Sequence, residues 1–132
     1  MPLLISDLPP SVAGFCAERH LATLTTLRAD GTPHACPVGF TWDADDRVAR
    51  IIAGGGSQKV RNVRRSPRVV ICQVDGARWL ALEGAAEVTD DPAEVAEAVR
   101  RYGDRYQPPR PNPARVAIVV RVDRILGRPA SG

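Results

Sequence analysis

The chain has 132 residues, 44% of them hydrophobic and 25% charged, with a net charge of +3. This balance predicts one globular domain, 1–132, long enough to bury a core. No apolar run approaches the roughly 20 residues that span a bilayer, and the N-terminus lacks the basic flank and apolar core of a secretory leader, so the chain reads as cytoplasmic with no membrane partner.

In chain order, Pro9 to Arg19 reads as a short helix with Ser11 as its cap and Val12, Phe15 and Cys16 on one face. His20 to Leu27 reads as a strand, and Asp30-Gly31 as a hairpin turn. The returning strand, Pro33 to Thr41, carries His34, Cys36, Val38 and Phe40 on one face. The other face holds Ala35, Pro37, Gly39 and Thr41, all small or flat. That face either packs tightly or leaves a slot for a planar ligand, and Pro37 predicts an edge or a bulge. Val48 to Ala53 is a third strand. Val69 to Val74 is an apolar run broken only by Gln73, which predicts a buried strand. Asp75-Gly76 turns it into Arg78 to Val88, with Gly84 marking a bulge and Trp79 on the more polar face, as at a binding surface or subunit interface. Asp91-Pro92-Ala93-Glu94 starts a helix, with Asp91 as its cap, Pro92 in the first position and Glu94 reaching back, that fades at Gly103. Gln107 to Pro113 is a stiff proline loop. Val116 to Val122 is the last strand, and the tail from Gly127 reads as loose. The sum is a mainly β (α+β) fold: a small barrel of about six antiparallel strands with peripheral helices.

The chemistry concentrates at Ala53-Gly54-Gly55-Gly56-Ser57-Gln58-Lys59. Three glycines between a strand and a helix allow a sharp turn and close approach of backbone N–H groups to a ligand. Ser57 is placed to cap the helix, whose N-terminus attracts anions. Lys59 is the single lysine among eighteen basic residues. A cation in the first turn opposes the helix dipole, and a bound phosphate would account for it. The plain alternative is a glycine turn before a surface helix. Lys59, Arg61, Arg64, Arg65 and Arg68 form a basic cluster without acids, but no nucleic-acid motif accompanies it and aromatics are only 5%, too few for stacking platforms. A small anionic ligand fits better than nucleic acid.

Nucleotide triphosphatase, dinucleotide, zinc-protease and serine-hydrolase motifs are all absent from the sequence. Cys16, Cys36 and Cys72 form no CxxC pair and read as buried free thiols, and no metal ligand set is evident. His20 reads as structural. His34 lies on the apolar face of its strand and remains a candidate proton donor. With so little acid–base machinery, the chemistry belongs to a bound cofactor.

The ordered segments His20-Leu-Ala-Thr-Leu-Thr-Thr-Leu, Asp30-Gly-Thr-Pro-His, Pro37-Val-Gly-Phe, Gly55-Gly-Ser-Gln-Lys59, Asn62-Val-Arg-Arg, Cys72-Gln-Val-Asp-Gly-Ala-Arg-Trp-Leu and Leu82-Glu-Gly resemble the pyridoxamine 5′-phosphate oxidase-like split β-barrel flavoproteins. They look most like the branch that uses the deazaflavin coenzyme F420. The resemblance implies an FMN-binding-protein-like split barrel and a homodimer with the cofactor at the subunit interface. It implies that Ala35, Cys36, Pro37 and Val38 run along the cofactor ring, with Ile52 and Ala53 nearby. Ser57 and Lys59 would hold the cofactor phosphate, with Gln58 between them. Trp79 would meet the ring from the partner chain, and Arg64 and Arg110 would meet the cofactor tail or substrate carboxylates. The implied activity is hydride transfer from reduced F420 to a conjugated small molecule, biliverdin or a related tetrapyrrole. An FMN-dependent enzyme on the same fold and a non-catalytic F420 or tetrapyrrole binder are the alternatives.

Overall fold

A computed structural model of the chain describes residues 2–130. It contains strands β1 (Pro2–Leu3), β2 (Ala22–Leu27), β3 (Pro33–Val38), β4 (Phe40–Asp43), β5 (Val48–Gly54), β6 (Arg68–Asp75), β7 (Arg78–Thr89) and β8 (Arg115–Arg128). Its helices are α1 (Pro10–Ala17), α2 (Gln58–Arg65) and α3 (Pro92–Arg105). All strand pairs are antiparallel, in the order β3-β2-β6-β7-β8-β5-β4, with β1 added to β8. The outermost strands, β3 and β4, are consecutive in the chain and separated only by Gly39. The sheet therefore curls into a split barrel. With β3–β4 counted as one interrupted strand and β1 set aside, six strands remain, the number expected from the sequence.

The interruption corrects the expectation of one strand from Pro33 to Thr41. A Cβ at position 39 would stand 2.8 Å from Tyr102 Cε2 and 2.9 Å from Tyr106 Cε2. The bare backbone of Gly39 is what lets both rings pack there. Gly31 and Gly76 take the left-handed turn positions, with φ of 85° and 63°. The expected bulge appears as a register shift between Glu83 and Gly84. A Cβ on Gly84 would meet Arg121 O at 2.2 Å, so the close approach of β8 requires glycine.

Leu24, Phe40, Ile51, Ile71, Leu82, Ile118 and Ile125 fill the barrel. Val12, Phe15 and Cys16 of α1 cover it, as their spacing predicts. Ser11 does not cap α1. Pro9 holds that position and Pro10 begins the helix, where a fixed φ and a missing N–H are tolerated. In α3 the Asp91 carboxylate accepts from Glu94 N at 3.1 Å as expected. Glu94 does not reach back to Asp91; Thr89 Oγ1 instead accepts from Asp91 N at 3.1 Å and donates to Glu94 Oε2 at 2.5 Å.

Four further expectations are corrected. First, α3 continues past Gly103 to Arg105. The Arg105 side chain is buried and donates to Glu18 O at 2.9 Å, to Phe40 O, and to Gln73 Oε1 at 2.6 Å, which anchors the last turn. Second, β6 is not buried on both faces. Val69, Ile71 and Gln73 point inward, while Val70 and Cys72 are half-buried and Val74 is exposed on the outer face. Third, β8 runs on through Gly127 and Arg128, which pair with Leu80 and Trp79. Gly127 has φ 141° and sits against Trp79 O, where a Cβ would come within 2.2 Å. Ser131 and Gly132 of the expected loose tail lie outside the described residues. Fourth, only Cys16 is fully buried; Cys36 and Cys72 are half-buried.

Candidate cofactor site

β5 ends at Gly54, and Gly55, Gly56 and Ser57 lead into α2. Gly55 N donates to Ala114 O at 2.8 Å and Ser57 N to Gly54 O at 3.1 Å, so two of the loop's donors shape the turn. The contact with Ala114 ties the glycine loop to the end of the proline loop that carries Arg110. Ser57 holds the N-cap position with extended backbone, yet its hydroxyl caps nothing. Ser57 Oγ is buried without a hydrogen-bond partner among the described residues. Leaving such a group unsatisfied costs about 1–3 kcal/mol.

Several groups at the same helix N-terminus can donate. Gln58, Lys59 and Val60 are first-turn residues whose N–H groups make no backbone bond. The first turn of α2 carries no acid. Lys59 is half-buried and takes part in none of the ion pairs among the described residues. An orphaned hydroxyl, free N–H groups, an ammonium and the positive end of a helix dipole fit a phosphate. The residues present therefore fit a phosphate-bearing cofactor.

Gln58 is engaged elsewhere. Its Nε2 donates to Asn62 Oδ1 at 2.7 Å, and its Oε1 accepts from Arg61 Nη2 at 2.7 Å. Asn62 is fully buried, donates to Thr26 Oγ1 at 3.0 Å, and also accepts from Arg65 at 3.0 Å. Asn62 thus fixes α2 against β2. The sequence reading gave it no role, because an asparagine beside Val63 on a short basic helix has no local mark of burial. Arg64 is exposed in the last turn of α2, about 10 Å of helix rise from Ser57 at 1.5 Å per residue. Arg110 is exposed in its loop.

The flat face of β3 points outward. Ala35 and Pro37 are exposed, while His34, Cys36 and Val38 turn toward the interior. Pro37 lies on an edge strand, as its missing N–H requires. Register carries this outer face across the sheet through Pro37, Thr23, Cys72 and Ala81, with Val74 opposite Trp79 one pair further along. Trp79 is half-buried and shares the face of Ala35 and Pro37. Ile52 is half-buried, whereas Ala53 is buried on the inner face of β5. His34 stands opposite Thr26, and its Nδ1 is buried without a partner.

A second polar cluster joins Glu18, His20 and Asp75. His20 Nε2 lies 3.0 Å from Glu18 Oε1 and 3.6 Å from Asp75 Oδ2. Arg78 bridges both carboxylates, bonding Glu18 through two nitrogens at 2.7 Å each. The hydrogen bond from Arg78, then that from His20, hold the Glu18 carboxyl down at about 2. Arg78 thus already supplies the cation at this cluster. Burial pushes the Cys16 thiol up to about 12, only partly offset by the nearby Arg105 charge, so Cys16 stays an unreactive thiol.

The pyridoxamine 5′-phosphate oxidase family model matches residues 8–128. The F420H(2)-dependent biliverdin reductase of Mycobacterium tuberculosis is 54% identical over 120 residues, 91% of this chain and 88% of that protein. A solved F420 reductase superposes with a TM-score of 0.75 at 30% identity, covering 90% of this chain and 98% of its own. General stress protein 26 of Bacillus anthracis shares the fold, with a TM-score of 0.72 at 20% identity over 89% of this chain and 91% of that one. The split barrel, its glycine loop and these likenesses converge: the chain belongs to the pyridoxamine 5′-phosphate oxidase family.

Proposed function

We propose that the protein is a coenzyme F420-dependent reductase whose acceptor is biliverdin or a closely related tetrapyrrole. The cofactor half of this reading rests on Ser57 Oγ, buried and unpartnered at a helix N-terminus beside Lys59. The choice of F420 and of the acceptor is supported by the 54% identity to the mycobacterial biliverdin reductase. When bound, reduced F420 supplies the hydride.

The chain's own residues bind and orient. Ser57, Lys59 and the first-turn N–H groups hold the phosphate. Ala35 and Pro37, with the backbone of Cys36 and Val38, form a flat wall for the ring, flanked by Ile52, while Ala53 faces the core behind it. Gln58 serves the helix through Asn62 and Arg61 rather than the phosphate. Arg64 and Arg110 meet the cofactor tail or the acceptor's carboxylates. His34 turns away from the wall, so the proton comes from solvent. A second copy of the chain covers the outer face of β2, β6 and β7, where Leu21 is 63% and Val74 60% exposed, and brings its Trp79 to the ring.

Mixing the purified protein with reduced F420 and biliverdin tests the reading. The expected result is the return of oxidised deazaflavin absorbance together with formation of bilirubin. An unchanged spectrum would overturn it, and a protein that purifies yellow with tightly held FMN would replace F420 by FMN.

A further inference from the structure

Asn62 sits in the middle of α2 and is 0% exposed. Helix propensity and burial both favour an apolar residue such as leucine there. What the amide supplies instead is three hydrogen bonds in fixed directions. Its Nδ2 donates to Thr26 Oγ1 on β2 at 3.0 Å, and its Oδ1 accepts from Gln58 Nε2 at 2.7 Å and from Arg65 Nη2 at 3.0 Å. Both lone pairs of that oxygen are thereby used.

Two connections leave this point. One runs to the ring wall: Thr26 stands on the strand that pairs with β3, where Thr25 is opposite Ala35 and Thr23 opposite Pro37. The other runs to the glycine loop. Gln58 Oε1 accepts from Arg61 Nη2 at 2.7 Å, and Arg61 Nη1 donates to Gly56 O. The peptide joining Gly56 to Ser57 is planar. Holding that carbonyl therefore also sets the Ser57 N–H, which closes the turn on Gly54 O at 3.1 Å. Every side chain in this relay is neutral or cationic, so it brings no acid to a site built for an anion.

We infer that Asn62 is a positioning residue for the phosphate half of the cofactor site. Being fully buried, it meets no ligand itself. It fixes the first turn of α2 and the Gly56–Ser57 peptide relative to the strand pair that carries the ring wall. Phosphate donors and ring wall thereby keep the spacing that one cofactor molecule needs. The inference rests on the phosphate reading of the glycine loop given above. A site with the right groups on a loosened support loses affinity through misplacement, with every contacting group still present.

F420 and its phosphate-free ribityl deazaflavin core, each titrated by fluorescence into the intact protein, test this. The ratio of the two affinities reports what the protein gains beyond the ribityl chain, and the natural chain should favour F420. Asn62→Leu, and Gln58→Met, which cuts the branch to the loop, should each lower that ratio about tenfold and leave affinity for the core within about twofold. Lost stability alone leaves the ratio unchanged, because titrations are run well below each variant's melting midpoint. Gln58 is only half-buried, so Gln58→Met decides the matter if Asn62→Leu does not fold. A folded Gln58→Met with the natural ratio, or equal weakening of both ligands in either variant, overturns the inference and leaves the phosphate reading standing. A natural chain that binds both ligands equally overturns both.

Discussion

Arg105 and Gln73 meet inside the molecule. Arg105 Nη2 donates to Gln73 Oε1 at 2.6 Å, and Gln73 Nε2 donates onward to Phe15 O at 2.9 Å. One guanidinium thereby links the end of α3 to β6, to β4 through Phe40 O and to the chain after α1 through Glu18 O. Arg105→Ala removes the donor of Glu18 O and of Gln73 Oε1 and leaves Phe40 O only the longer contact from the Tyr106 hydroxyl at 3.4 Å, and each unsatisfied buried group costs about 1–3 kcal/mol. Urea unfolding should show a loss of about 3 kcal/mol or more. A loss under about 1 kcal/mol would mean that water replaces the guanidinium at little cost.

Ser57 and Lys59 should separate stability from binding. In Ser57→Ala the unpartnered hydroxyl disappears, so the free protein should melt no lower than the natural chain, while cofactor affinity falls by about 1 kcal/mol. Lys59→Ala should weaken the cofactor by about 1.5–3 kcal/mol, the range for a charge-assisted bond, and leave the fold intact. Fluorescence titration with F420 and thermal melts of the same samples measure both. Full affinity in both variants would reduce the glycine loop to a turn.

Val74 stands exposed on the outer face opposite Trp79. If a second copy covers that face, Val74→Glu buries an unpaired carboxylate in the interface. Sedimentation should then shift from dimer to monomer and reductase activity should drop with it. A variant that keeps the mass and activity of the natural protein would place the interface elsewhere.

Gly84 offers a test of the bulge. Gly84→Ala sets a Cβ 2.2 Å from Arg121 O, and backbone on both sides leaves no flexible atom to move aside. The variant should lose about 2 kcal/mol or more, whereas Gly56→Ala, which meets nothing within 4 Å, should melt close to the natural chain.

The acid limb of stability should involve Glu18. Its carboxyl is held down at about 2 by Arg78 and then His20, against an ordinary value of 4.5. Folding therefore favours the ionised form. That contribution is complete above about pH 4.5 and is lost as pH falls toward 2. Melting temperatures recorded across that window should fall less steeply in Glu18→Gln than in the natural chain. Identical slopes would assign the acid limb to other carboxylates.

Features with local causes were legible in the sequence. Asp30-Gly31, Asp75-Gly76 and the Asp91-Pro92 helix start each carry their own backbone chemistry. The glycine loop and the outward Ala35–Pro37 strip could be found for the same reason. Asn62 on Thr26, Ala114 O on Gly55 N and the Arg105 anchor could not, because each depends on segments that only the closed barrel brings together. The apolar run of β6 misled because such a run does not say what covers the second face. The tail from Gly127 reads as loose, yet Gly127 extends β8 because the carbonyl of Trp79 needs a neighbour without a side chain.

Gly39 also shapes the route to this structure. Hairpins β2–β3, β4–β5 and β6–β7 form between neighbours, but the β5–β8 and β2–β6 ladders join distant residues such as Gly54 with Arg115 and Thr23 with Cys72. Because β3 passes into β4 through one residue, the first two hairpins cannot dock separately. Seating β5 on β8 carries β2 toward β6. Chain entropy is lost for both ladders before either is complete, so refolding should follow a single exponential in the slow range of β-rich domains, roughly milliseconds to seconds.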